Sequence, residues 1–383
     1  MWDSVLRHVP VTAVCLATLV GAGCTTVPQR EFKSYTEAFA EVKSATEQLL
    51  VEYGAAQQAE DAYRQAKVAA EKAAEEAKKG TKQAPALLPP FPPAVTLTFA
   101  TESRRSTDHV GARRQALEVV SDFNTALVTL AEGKNPEEVK SSIDSLSGGL
   151  SNVAKLAGSS LPIPFAGEIS TLLSTVITKL DEANNRQQFV AALKEAEPII
   201  RGILRLFAED AQDIYQIRAG QATRAWTSHQ DGVIKLVKQM RDIAKECDRP
   251  TADQAKKLDA LEKDVRALLD RAGLKDNSEK LPTTEGAHQP FDELAVSQLQ
   301  QTLVQAQAEA DKYEAVIKAQ TALLALVVSY GRMLAQTDAT LVAVRKALDN
   351  PADIREQATE LIGFVFTVKR DWEALNAARR AAA

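Results

Sequence analysis

Side chains suited to acid–base, metal or nucleophilic chemistry are sparse and scattered in this chain of 383 residues, which holds four histidines and three cysteines. One Glu-x-x-His occurs, Glu285 to His288, the spacing that in four-helix di-iron proteins places both ligands on one helix face. Such a centre needs the motif twice, in mid-helix, with partner glutamates. Here it stands once, between Pro282 and Pro290 and beside Gly286, so it reads as a loop pair. His109 and His229 lie among polar neighbours and read as surface positions. No G-x-G-x-x-G, G-x-x-x-x-G-K, H-E-x-x-H, C-x-x-C or G-x-S-x-G is present. Carboxylates alternate with lysine and arginine, as on solvated helix faces. The basic pairs Arg104-Arg105, Arg113-Arg114 and Arg379-Arg380 lack interleaved aromatics, and 46 Lys+Arg against 51 Asp+Glu give a net charge of −5, which argues against nucleic acid. The chemistry on offer predicts no catalysis, no metal and no cofactor.

The elements that would position these residues are helices. Long proline-free stretches (29–84, 94–135, 199–249 and 291–350) carry apolar residues at spacings of three and four. The first runs Phe32, Tyr35, Phe39, Val42, Thr46, Leu49, Tyr53, Ala56 and predicts a helix over 31–79. Further stripes cover Ala116 to Leu130, Val139 to Val153, Ile169 to Leu180, Ile200 to Ile214, Val233 to Cys247 and Leu258 to Leu268. The longest runs from Leu299 to Leu348, with Gln320 and Gly331 filling two of its slots, and a last one from Ile354 to Leu375. Asn135-Pro136-Glu137-Glu138 and Asn350-Pro351-Ala352-Asp353 both read as a cap, a first-turn proline and acid near the positive end of the helix dipole. Breaks are expected at Gly331 and at Asp231-Gly232, and Pro198 reads as a boundary. At 1.5 Å per residue the 291–350 stretch reaches roughly 85–90 Å, against about 55 Å across for a compact domain of this size. The predicted fold is therefore all-α, an elongated antiparallel helical bundle with long coiled-coil-like helices.

The N-terminus reads as an address. Arg7 precedes an apolar run from Val9 to Val20, too short for a bilayer but of secretory length. It ends Val20-Gly21-Ala22-Gly23-Cys24, which resembles the bacterial lipoprotein signal. The resemblance implies removal of residues 1–23 and a lipidated Cys24 carrying acyl chains such as palmitate. Thr25, in place of an aspartate after the cysteine, implies the outer membrane, facing the periplasm. Several acyl chains make a durable anchor, at about 0.8 kcal/mol per buried methylene. Residues 24–30 would be a short tether. Cys15 would leave with the signal, so Cys247 would stand alone, on the apolar stripe of its helix and buried.

Two stretches depart from the helical pattern. Residues 80–106 form a proline-rich connector with Pro89-Pro90-Phe91-Pro92 and alternating Val95, Leu97 and Phe99. Residues 145–180, within the 107–383 bundle, form an apolar hairpin whose only charges are Lys155, Glu168 and Lys179. If each connection reverses direction, both stretches fall at the end farthest from Cys24. Phe91, Phe99, Ile163 and Phe165 are then the candidate contact surface for an envelope partner.

These features favour a non-catalytic, lipid-anchored scaffold or interaction element of the bacterial envelope. A membrane-permeabilising protein deploying 145–180, and a carrier of a small ligand between helices, are the competing readings. The address predicts that Cys24→Ser moves the protein from the membrane fraction to the soluble periplasm on fractionation. Unchanged partitioning would count against it.

Overall fold

A computed structural model of the chain describes residues 29–77, 109–159, 166–274, 281, 291–349 and 354–382. Among them it contains eight α-helices and no strand: α1 Gln29–Ala77, α2 His109–Ala131, α3 Pro136–Ser159, α4 Ala166–Glu182, α5 Arg186–Glu246, α6 Ala252–Arg271, α7 Glu293–Asp349 and α8 Arg355–Ala382. The fold is an all-α, elongated bundle.

Local chemistry sets most helix ends. Asn135 accepts from the Glu138 backbone N–H at 2.9 Å, with Pro136 in the first turn of α3. Asn185 caps α5 through the Gln188 N–H at 3.1 Å, and the Gln188 side chain returns to the Asn184 N–H. Gly133 and Gly273 take φ of 64° and 65° after α2 and α6, the left-handed geometry that closes a helix C-terminus without a Cβ penalty. Asn350 to Asp353 lie outside the described residues, and α8 starts at Arg355, two residues beyond the Asp353 acid of the expected cap.

Helices α5 and α7 are the frame. With 61 and 57 residues they extend about 90 and 85 Å. They run antiparallel in one register, shown by Glu197–Arg345, Arg201–Asp338, Trp226–Tyr313 and His229–Glu309. None of the three expected interruptions occurs. Pro198 lies inside α5, where Leu193, Ala196, Ile200 and Leu204 keep one buried face on both sides of it. That packing outweighs a helix-interior proline cost of about 3 kcal/mol. Gly232 and Gly331 sit within unbroken helices, since a glycine costs only about 1 kcal/mol there.

The other helices divide the rod into two packed ends. In the head, α1, α2, α3, α4 and α8 surround the first half of α5 and the second half of α7 over one core that includes Tyr35, Phe39, Phe123, Leu146, Phe207 and Tyr330. In the distal arm, α6 joins α5 and α7 over Val233, Met240, Leu261, Val265, Leu299 and Leu303. Buried threonines turn back on their own helices: Thr46, Thr337 and Thr340 donate to the carbonyls of Val42, Met333 and Gln336. Cys247 is buried at the end of α5, as its stripe implies. Burial and the carboxylates of Asp292, Glu246 and Asp248 push its thiol above the ordinary value.

Phe91, Phe99, Ile163 and Phe165 lie outside the described residues. Helix α3 packs on α2 at Gly149–Val119, and α2 starts level with Gly54 of α1. Among the described residues, the end farthest from the start of α1 is built by the turn from α5 to α6, Cys247–Thr251, and by the start of α7.

Replacing Asn135 or Asn185 with alanine is predicted to cost about 1 kcal/mol each in urea denaturation. No change in the midpoint would mean that the caps carry no stability.

Candidate functional site

Between the two cores lies a neck in which the α5 side chains are only partly buried. From Tyr215 to Gly232, α5 has no fully buried side chain. The side chains lining the neck form three groups.

At its head end lies a buried ion pair. Arg113 of α2 donates from Nε and Nη2 to both oxygens of Asp210 of α5, at 2.6 and 2.7 Å, and its guanidinium lies 5.8 Å from the Tyr53 ring centroid. Both residues are almost fully enclosed, at 4% and 1% exposed. Burial alone would make Arg113 easier to deprotonate, but the Asp210 contact outweighs it and holds the charge. The two-pronged contact fixes the register of α2 on α5.

Next comes an acid–arginine clasp on α1. Glu52 accepts from Arg218 of α5 at 2.7 Å and from Arg379 of α8 at 2.5 and 2.9 Å. Gln221 donates to the Ala56 carbonyl, and Arg224 reaches Glu60 at 2.6 Å while lying 3.9 Å over the Tyr63 ring. Burial raises the carboxyls of Glu52 and Glu60, but their arginine partners outweigh it and hold both below the ordinary value.

The third group joins the neck to the arm. Trp226 and Tyr313 meet edge to face at 6.2 Å, and Trp226 Nε1 donates to Gln230, which donates to the Ala272 carbonyl at the end of α6. His229 Nδ1 lies 2.7 Å from Glu309. Hydrogen bonds from Lys312 and His229, set against some burial, lower the Glu309 carboxyl. A Cβ added at Gly273 would stand 2.8 Å from the Tyr313 hydroxyl, so glycine is required there for close approach as well as for its φ.

His229 is thus a neck residue in an inter-helix contact and not the free surface position its neighbours suggested. Glu285 and His288 lie outside the described residues, as does Cys24. Among the described residues, no group of three or more His, Cys, Asp or Glu side chains is placed to hold a metal ion. A cleft between α1, α7 and α8, lined by Gln48, Leu326, Tyr330 and Trp372, has a volume of about 20 Å³, room for roughly one water.

Comparison with protein families, with curated proteins and with solved structures found no match. The chemistry therefore rests on the side chains alone. They are acids paired with arginines, aromatic edges, and amides bound to backbone carbonyls, an arrangement that joins helices. Helix α7 is the one described helix with a stretch long and apolar enough to cross a membrane by length and composition. Its Leu323, Leu326, Tyr330, Met333 and Leu334 are enclosed by the head, and a third of that apolar stretch is buried. Exposed Val51, Leu294, Val304 and Phe366 stand singly on α1, α7 and α8.

Sequence reasoning registered the arginines only as scattered pairs. Their partners lie 97 and 166 residues away, beyond any local spacing.

Two outcomes follow. Arg113→Met alone should cost about 3–5 kcal/mol by leaving Asp210 buried and unpaired, and adding Asp210→Leu should recover most of it in urea denaturation. Because Glu52 and Glu60 have lowered folded values, their contribution is complete above the ordinary value of 4.5 and disappears as the pH falls below it through the folded value. The melting temperature of Glu52→Gln should therefore fall less between pH 5 and 3 than that of the unaltered chain, and parallel curves would contradict this.

Proposed function

We propose that the chain is a non-catalytic, lipid-anchored spacer of the bacterial envelope. It is fixed to the outer membrane through Cys24 and presents its far end to an envelope partner across the periplasm. The observation that carries the reading is the uninterrupted antiparallel pair of α5 and α7, whose single register runs through head, neck and arm. A helix pair that long is costly in ordered residues and gives little enclosed volume, which suits reach better than a pocket.

Direction supports the same reading. Helix α1 starts at the head end, beside the start of α8 and the end of α7, as Glu41–Lys369 and Tyr330–Thr46 require. A tether joined to α1 would leave from that end. The turn from α5 to α6 would then stand at the opposite one, about 85–90 Å away. Its exposed Asp253, Lys256 and Lys257 give a mixed-charge surface suited to a polar partner.

The reading predicts a height. With the lipidated protein on a supported bilayer, a fluorophore placed on α6 near Lys256 should sit about 80–90 Å above the membrane by interference or energy-transfer measurement. A height under about 30 Å would describe a protein lying flat, and would end the spacer reading.

A further inference from the structure

Helix α1 changes character at Ala56. Up to there Tyr35, Phe39, Val42, Leu49, Tyr53 and Ala56 bury it in the head, whereas every side chain from Asp61 to Glu71 is exposed. The changeover is made by the clasp: Glu52 between Arg218 and Arg379, the Ala56 carbonyl on Gln221, and Glu60 on Arg224. Beside it no α5 side chain between Ile214 and Val233 is fully buried, Tyr215 and Ile217 lie only partly buried at the edge of the head core, and buried Gln320 of α7 leaves its Nε2 without a partner. Head and arm are each held by apolar packing, but the pair that joins them is flanked on the α1 side by ionic contacts.

We propose that the clasp is a releasable brace. While Glu52 and Glu60 are engaged, α1 splints the neck. When the ion pairs open, the outer part of α1 lifts from α5, and the arm swings about the head. Charge pairs suit such a role, because salt and competing charges weaken them whereas an apolar seam is indifferent to both. The arginines involved are a fifth to a third exposed, so ions can reach them. Arg379 lies in the last turn of α8, so the same contact also pins that helix to the neck. The brace rests on the rod reading above, and it adds where the rod yields.

Hydrogen exchange of the full chain tests this. Glu60→Gln should raise amide exchange in 57–60 and 215–232 about two- to threefold, and with Glu52→Gln about five- to tenfold, from the usual strength of partly exposed pairs. The cores over 189–211 and 299–310 should stay unchanged. Exchanging the charges, Glu60→Arg with Arg224→Glu, should restore protection. Unaltered neck exchange, a uniform rise across both cores, or no recovery in the exchanged pair would overturn the brace. Should Glu52→Gln loosen the head, Glu60→Gln alone must still show the local rise, and its absence is equally fatal. Failure of the rod reading would show instead in the unaltered chain, as a low height above the bilayer.

Discussion

The antiparallel register of α5 and α7 is the constraint on which the rest depends. From Arg201 to His229 is a step of 28 residues along α5, and from Asp338 back to Glu309 is a step of 29 along α7. Neither helix slips past the other over that distance, so each shorter helix meets a fixed surface. The head closes around one half of the pair and α6 around the other. A shift of one residue would turn Leu326, Tyr330 and Met333 away from α1 and bring exposed positions inward.

Keeping that register over so long a pair takes two kinds of contact. Apolar packing supplies most of the stability at both ends, while buried polar contacts decide the alignment. Glu197–Arg345, Arg201–Asp338 and His229–Glu309 align α7 on α5, while Arg113–Asp210 and the Glu52 contacts place α2, α1 and α8 on that frame, where a buried carboxylate moved by one helical turn would lose its arginine and remain dehydrated. The neck trades apolar burial for this specificity. It is also where α1, α5 and α8 are joined by the same carboxylate.

Much of the architecture was legible in the sequence because it rests on local periodicity. The stripes of α1, α2, α3 and α6 matched buried residues closely, and Asn135-Pro136 marked its helix start. The α7 stripe was legible only in part. A seven-residue repeat drifts about 20° per heptad on a straight helix, so one phase cannot hold over 57 residues. Leu324 and Val327 continue the phase of Leu299 and Leu303, but the core is formed by Leu323, Leu326 and Tyr330. Helix breaks were over-read at Pro198, Gly232 and Gly331, where tertiary packing overrides a local cost of a few kcal/mol at most. The neck was not legible, since its charge partners come from helices far apart in the chain. The candidate contacts at Phe91, Phe99, Ile163 and Phe165 lie outside the described residues.

The central claim is one of shape: a rod framed by two long helices, with separate cores at its ends. Small-angle X-ray scattering of the purified chain in dilute solution measures this most directly. A maximum dimension of at least about 90 Å, with a pair-distance distribution skewed to long distances, is the result the helix lengths predict. A symmetric distribution ending near the roughly 55 Å of a compact domain of this size would contradict it.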